Sequence, residues 1–167
     1  AFASSYFWLF HRGGRFFAIS MVVLFGVQVK VAWTQSIPLS TLPSGGHIHA
    51  GGAHIDISGA NMLINQSSQR AVIDWKNFNI GKGASVHFNQ PNSAAATLNR
   101  FTGADPSHIL GRIKAPGQVF ISNGNGVYFG RSASVDVGSL VATTMNIDIE
   151  DFMNGQLRFL QGKGSGE

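Results

Sequence analysis

Gln118-Val119-Phe120-Ile121-Ser122-Asn123-Gly124-Asn125-Gly126-Val127-Tyr128-Phe129-Gly130 is the stretch that decides the fold. Two short apolar runs flank Asn-Gly-Asn-Gly, and an Asn-Gly step between such runs is a strong turn signal. Gln118–Asn123 alternates side chains in the period-2 pattern of a strand with one buried face. Four further segments read the same way: His54–Gly59, Ser85–Asn89, Ser134–Gly138 and Gln156–Leu160. Their first apolar residues, 55, 86, 119, 135 and 157, lie 31, 33, 16 and 22 residues apart. Such intervals suit the coils of a solenoid interrupted by excursions, and the same turns also permit a sandwich or jelly roll. Ala104–Ile113 is the one stretch with a helical look, and Gly103, Pro106 and Gly111 restrict it to a turn.

Composition tilts the choice toward the solenoid. Glycine supplies 21 of 167 residues, against a usual share of roughly 7%. Corners repeated every few residues need positive φ or side chains that bond their own backbone, which Gly, Asn and Asp provide. Asn side chains at the same place on successive coils can also exchange amide hydrogen bonds. Thirteen Phe, with Val, Ile and Leu, supply the apolar filling. Charged residues make up only 12%, which excludes a disordered chain and a coiled coil. The sequence has no cysteine, so a disulfide scaffold, an iron–sulfur protein and a thiol enzyme are excluded.

The amino-terminal residues carry a different signature. His11-Arg12-Gly13-Gly14-Arg15 precedes an apolar run of twelve, Phe16–Val27. A bilayer span needs about 18–20 apolar residues, so this reads as a signal peptide over residues 1–34, with a working domain from Gln35. The formal charge of +4 is concentrated in this leader. Without Arg12, Arg15 and Lys30, nine basic residues face eight acidic ones and are scattered singly along the chain. No stripe that would track phosphates is visible in the sequence, and nucleic acid is not an expected partner.

The chemistry-bearing residues are sparse. His47 and His49 share one face of a strand, with His54 and Asp56 nearby, but a metal site needs a third ligand and an orienting carboxylate. Exposed histidines beside a glycine loop are the simpler account, so no metal is expected. A polysaccharide lyase or hydrolase would need clustered carboxylates. Asp56, Asp74, Asp105 and Asp136 are spread out, while Asp148, Glu150 and Asp151 gather at an expected turn before Phe152. Nucleophile-elbow, phosphate-loop and dinucleotide fingerprints are missing, so neither a cofactor nor a catalytic role is expected.

Six segments in order carry a resemblance. They are Pro43–Gly46, Arg70–Gly81 (Arg-Ala-Val-Ile-Asp-Trp-Lys-Asn-Phe-Asn-Ile-Gly), Val86–Asn92 (Val-His-Phe-Asn-Gln-Pro-Asn), Leu98–Gly103 (Leu-Asn-Arg-Phe-Thr-Gly), Ile109–Gly111 and Gly117–Gly130. Together, over residues 36–160, they resemble the amino-terminal secretion domain of filamentous-haemagglutinin-like exoproteins, the passengers of two-partner secretion. Two departures stand out. The family's Asn-Pro-Asn-Gly-Ile appears as Asn123-Gly124-Asn125-Gly126-Val127, and Asp74 stands where the family has Asn. Asn89-Gln90-Pro91-Asn92 occupies the stretch of a second family signature.

The resemblance implies a right-handed parallel β-helix with extra strands capping its amino-terminal end. It implies that residues 35–160 are recognised in the periplasm by the soluble domains of an outer-membrane β-barrel transporter, and that the chain crosses unfolded and folds outside. Residues 161–167 would begin a repetitive shaft used in adhesion, with a host receptor or glycan bound downstream. The recognition residues would be Asn123, Gly124, Asn125, Gly126, Val127 and Asn89, Gln90, Pro91, Asn92. Arg70, Trp75, Phe78, Asn99 and Arg100 would be structural. The reading at odds with this is a secreted β-helix that itself binds or cleaves polysaccharide.

Overall fold

The computed structural model describes residues 36–161. The expected leader, residues 1–34, and all but the first residue of the expected shaft segment lie outside the described residues.

The chain winds into a parallel β-solenoid of about four turns. Its first coil uses β3 (Asn61–Gln66) and β4 (Arg70–Trp75), and reaches a third side at Ile80. The second uses β5 (Ser85–Asn89), β6 (Ala96–Phe101) and β7 (Ser107–Ile109). In the third, β8 (Arg112–Ser122) bends across two sides and β9 (Val127–Phe129) forms the third. In the fourth, β10 (Ser134–Thr143) follows β8 in parallel over both of its sides. Parallel register fixes the stack: Asn61, Ser85, Arg112 and Ser134 lie in one column, 24, 27 and 22 residues apart. The second side aligns Ile73, Asn99, Ile121 and Ala142.

Inward positions alternate, as the strand period requires. Met62, Val86 and Ile113 occupy one buried column, and Ile64 and Phe88 the next. Trp75, Phe78, Ile80 and Ile109 complete the interior, with Trp75 and Phe78 meeting edge to face at 5.5 Å. Corners depend on small residues. A Cβ on Gly111 would lie 2.2 Å from the Gly81 carbonyl oxygen on the preceding coil. Only glycine allows the backbones so close.

Two additions modify the stack. Before it, β1 (His47–Ala50) pairs antiparallel with β4, and β2 (Ala53–Ser58) pairs antiparallel with β3. They cap the first coil, with Leu42, Ile48 and Ile55 packed against the core. After it, β11 (Asn146–Ile147), α1 (Ile149–Met153) and β12 (Phe159–Leu160) form an annex. The annex covers a second apolar cluster on the outer surface: Val72, Leu98 and Phe120 from three successive coils, against Ile147 and Phe152.

The five sequence strands all contain extended structure, with two changes of role. His54–Gly59 belongs to the antiparallel cap and is largely exposed, which is why the intervals measured from it miss the coil length. Gln156–Leu160 contracts to Phe159–Leu160, both exposed. Ala104–Ile113, where Gly103, Pro106 and Gly111 allow no more than a turn, forms no helix. That segment is a bend followed by β7 and the start of β8, because Ile109 and Ile113 fill the cores of adjacent coils. The helix lies instead at Ile149–Met153, where a turn is expected. Asp148 caps it by accepting the Asp151 amide at 3.0 Å.

Candidate functional site

The Asn123–Val127 turn joins β8 to β9. The Gly126 amide donates to the Asn123 carbonyl at 2.9 Å, and Gly126 takes φ of +108°, where an L side chain is strained. The Asn123 side chain is fully buried. Its Oδ1 accepts the Asn125 amide at 2.9 Å, and its Nδ2 donates to the Asp105 carbonyl at 3.1 Å and to Ser107 Oγ at 2.8 Å. The Asn123 amide donates to Thr143 of the fourth coil. Asn123 therefore ties three coils together. Asn125 lies outside, with Nδ2 donating to the Gly103 carbonyl at 3.0 Å. Gly124 is exposed, has ordinary φ and has open space around it. Val127 is half-buried against the core.

The second stretch divides in the same way. Gln90 is buried and joins the second coil to the third: Nε2 donates to Thr97 Oγ1 at 3.0 Å and to the Gln118 carbonyl at 3.1 Å, and Oε1 accepts the Gly117 amide at 2.9 Å. Asn89, Pro91 and Asn92 are exposed. Asn89 Nδ2 donates to Asn65 Oδ1 of the first coil at 2.8 Å, which is the amide exchange between coils expected of such a stack. Asn92 Oδ1 accepts the Ala94 amide at 3.0 Å.

Gln66 and Thr97 extend this polar column into the first coil, since Thr97 Oγ1 donates to Gln66 Oε1 and Gln66 Nε2 donates to the Ala96 carbonyl. Sequence reading missed both residues. A signal existed: Asn65-Gln66 and Asn89-Gln90 are the same dipeptide one coil apart. Among the described residues no buried side-chain polar atom lacks a partner.

The residues expected to be structural also link elements distant in sequence. Trp75 Nε1 donates to Asn99 Oδ1 at 3.0 Å, and Asn99 Nδ2 donates to the Phe120 carbonyl at 3.1 Å. Arg100 forks onto Asp74, with Nε to Oδ1 at 2.8 Å and Nη2 to Oδ2 at 2.9 Å. The carboxylate that replaces the family's Asn at 74 thus has a cation on the next coil. The Arg70 guanidinium carbon lies 5.1 Å from the centre of the Phe152 ring in α1.

The remaining candidates disperse. His49 Nδ1 lies 3.0 Å from Asp74 Oδ2, while His54 Nε2 lies 3.1 Å from Asp56 Oδ1. Among the described residues no three His, Asp or Glu side chains converge as metal ligands. Asp56 accepts from Asn65 Nδ2, and Asp148 and Asp151 both receive Arg158. The Asp148 carboxyl is held below its ordinary range, first by the Asp151 amide, which outweighs the opposing desolvation, and further by Arg158.

A parallel β-solenoid closed by antiparallel strands at its amino-terminal end, with buried amides bolting one coil to the next, defines a capped β-helix. The TPS secretion domain family matches residues 35–166, and the chain belongs to it. A solved structure, the HMW1 secretion domain from Haemophilus influenzae, superimposes with a TM-score of 0.70 at 31% identity, over 74% of this chain and 33% of that one. The chain is also 36% identical over 107 residues to a heme/hemopexin-binding protein of H. influenzae strain Rd, and 42% identical over 87 residues to a second H. influenzae protein of that description. Those matches cover 64% and 52% of this chain but only 12% and 9% of the relatives, so the chain spans about a tenth of their length.

Proposed function

We propose that this segment targets a longer exoprotein for secretion and nucleates its folding. A partner outer-membrane β-barrel transporter recognises it in the periplasm through soluble domains, the chain crosses the outer membrane unfolded, and the solenoid forms outside the cell. The observation that carries this reading is the unlike treatment of the two ends of the stack. The first coil is covered by β1 and β2, whereas β10 pairs with β8 alone and no described strand lies on its other edge. A solenoid built this way is ready to be extended coil by coil, each coil needing only its neighbour.

The energetics agree. Without ATP at the outer membrane, folding on the far side can draw the chain through. A domain of about 130 residues at about 0.05–0.15 kcal/mol per residue releases on the order of 7–20 kcal/mol. The absence of cysteine keeps the chain threadable in an oxidising periplasm. Recognition would pair an extended segment with a sheet edge of the transporter's soluble domain. Because Asn123 and Gln90 are buried in the folded stack, a transporter reading their side chains would meet them before the coils close. The surface activity would reside downstream, whether in adhesion or in binding of the kind named for the heme/hemopexin-binding relatives.

The test is co-expression with a barrel transporter. Asn123→Ala with Asn125→Ala should lower the amount in the medium while leaving the periplasmic amount intact or raised. Secretion independent of the transporter would defeat the reading.

A further inference from the structure

Four cations that are isolated in the sequence meet on one corner of the solenoid. Ile80-Gly81-Lys82-Gly83-Ala84-Ser85 and Phe129-Gly130-Arg131-Ser132-Ala133-Ser134 are equivalent corners two coils apart. They place Lys82 and Arg131 three residues before Ser85 and Ser134 of one column. The coil between them turns the corner in fewer residues, and Arg112 itself pairs with both Ser85 and Ser134. Two residues along, Lys114 lies between His87 and Asp136. Adjacent strands are about 4.8 Å apart, so Lys82, Arg112 and Arg131 sit on three successive coils within about 10 Å along the stacking axis, with Lys114 two residues along β8 from Arg112.

All four are exposed, and among the described residues none lies within ion-pair distance of a carboxylate. Asp136 is the one carboxylate on this side of the second to fourth coils. Asp74 is drawn to Arg100, and Asp148 and Asp151 to Arg158 in the annex, while Asp56 of the cap strand β2 lies further along the row of Leu63, His87 and Lys114. On this side of the second to fourth coils four cations thus face one carboxylate.

We infer that this corner is a binding surface for an anionic polysaccharide, sulfated or uronic. Sugar hydroxyls find the exposed amides and hydroxyls that flank the cations, Asn61, Asn89 and Ser134. On the side that carries the cations the outward positions of β3, β5, β8 and β10 hold no Phe, Tyr or Trp, and their one aromatic ring is the exposed imidazole of His87. Apart from Pro116 they carry one sizeable apolar side chain, the half-buried Leu63, and the exposed Leu39 lies beside Gly83 at the corner itself. The surface is independent of the secretion reading, because it exists only once the coils have stacked.

The experiment uses the secreted protein, heparin as sulfated probe, polygalacturonate as uronic probe, dextran as neutral control and duplex DNA as the alternative polyanion. The double variant Lys82→Gln/Arg131→Gln is compared with Lys76→Gln/Lys163→Gln, which removes the same charge from other places. Wild type should bind heparin or polygalacturonate, but not dextran, with log affinity falling against log salt at a slope of about three to four. The first double variant should lower that slope by roughly two and weaken binding on the order of tenfold, while the second stays near wild type. Unchanged circular dichroism verifies the fold of both. Equal weakening by the two double variants, no polysaccharide binding at physiological salt, or tighter binding to DNA would each overturn the inference.

Discussion

Asn123 separates two roles that its sequence neighbourhood leaves together. Its buried amide satisfies Asp105 and Ser107 of one coil and Asn125 of its own turn. Asn123→Ala strands those groups and should cost about 1–3 kcal/mol in chemical unfolding, whereas Asn125→Ala, at an exposed site, should stay within about 0.5 kcal/mol. Gly124 makes the opposite case. It has ordinary φ, its amide donates no bond in the structure, and open space surrounds it. Gly124→Pro therefore restricts the unfolded chain at little cost to the folded one and should stabilise by about 0.4–1 kcal/mol, read as a rise of a few degrees in Tm. That substitution also restores the family's signature. The turn itself was legible from Asn-Gly chemistry. The burial of Asn123 was not, because its partners lie 16 and 18 residues upstream and meet it only through stacking. Gln90 was hidden for the same reason, among exposed neighbours that share its motif.

The annex formed by β11, α1 and β12 reaches back over the coils that precede it. Phe152 is fully buried, meets Phe120 of the third coil edge to face at 5.3 Å and receives Arg70 of the first. Because α1 follows the fourth coil in the chain, Val72, Leu98 and Phe120 remain in water until it arrives. Phe152→Ala should cost about 3–5 kcal/mol and open that stripe to a hydrophobic dye such as ANS. Acid should loosen the same element. Asp148 is held below its ordinary value of 3.8, so the stability it contributes is present above that value and lost as pH falls through the lowered one. Asp148→Asn keeps a cap without the titration, and its stability difference from wild type should shrink below pH 3.8 and vanish once the pH passes the lowered value. Sequence periodicity could not find α1, since five residues give barely more than one turn. The signals were local ones, Asp148 ahead of an apolar residue and Asp151 three residues on. At Ala104–Ile113 the glycines and proline spoke against a helix, and Ile109 and Ile113, four residues apart, serve two different coils.

On the scale of the whole molecule, parallel stacking converts distance in sequence into adjacency, which is why composition and corner chemistry only tilted the choice toward a solenoid, the resemblance supplied the parallel β-helix, and the polar bolts and basic corner stayed hidden. The same stacking leaves a consequence at the fourth coil. Met62, Val86 and Ile113 are buried in one inward column, but Val135, the fourth member, is 37% exposed because no described strand covers β10. A free, apolar strand edge is a template for another strand. At raised concentration the secreted segment should therefore associate through β10, seen as concentration-dependent sedimentation. Val135→Lys places a charge at that edge and should hold the protein monomeric, with less than about 1 kcal/mol lost in stability because the site is already part-exposed. A following coil of about 22–27 residues, the spacing of the coils already present, should suppress association equally well, and for a different reason: it satisfies the edge instead of repelling partners. Association that persists in both forms would mean that β10 is not the adhesive edge.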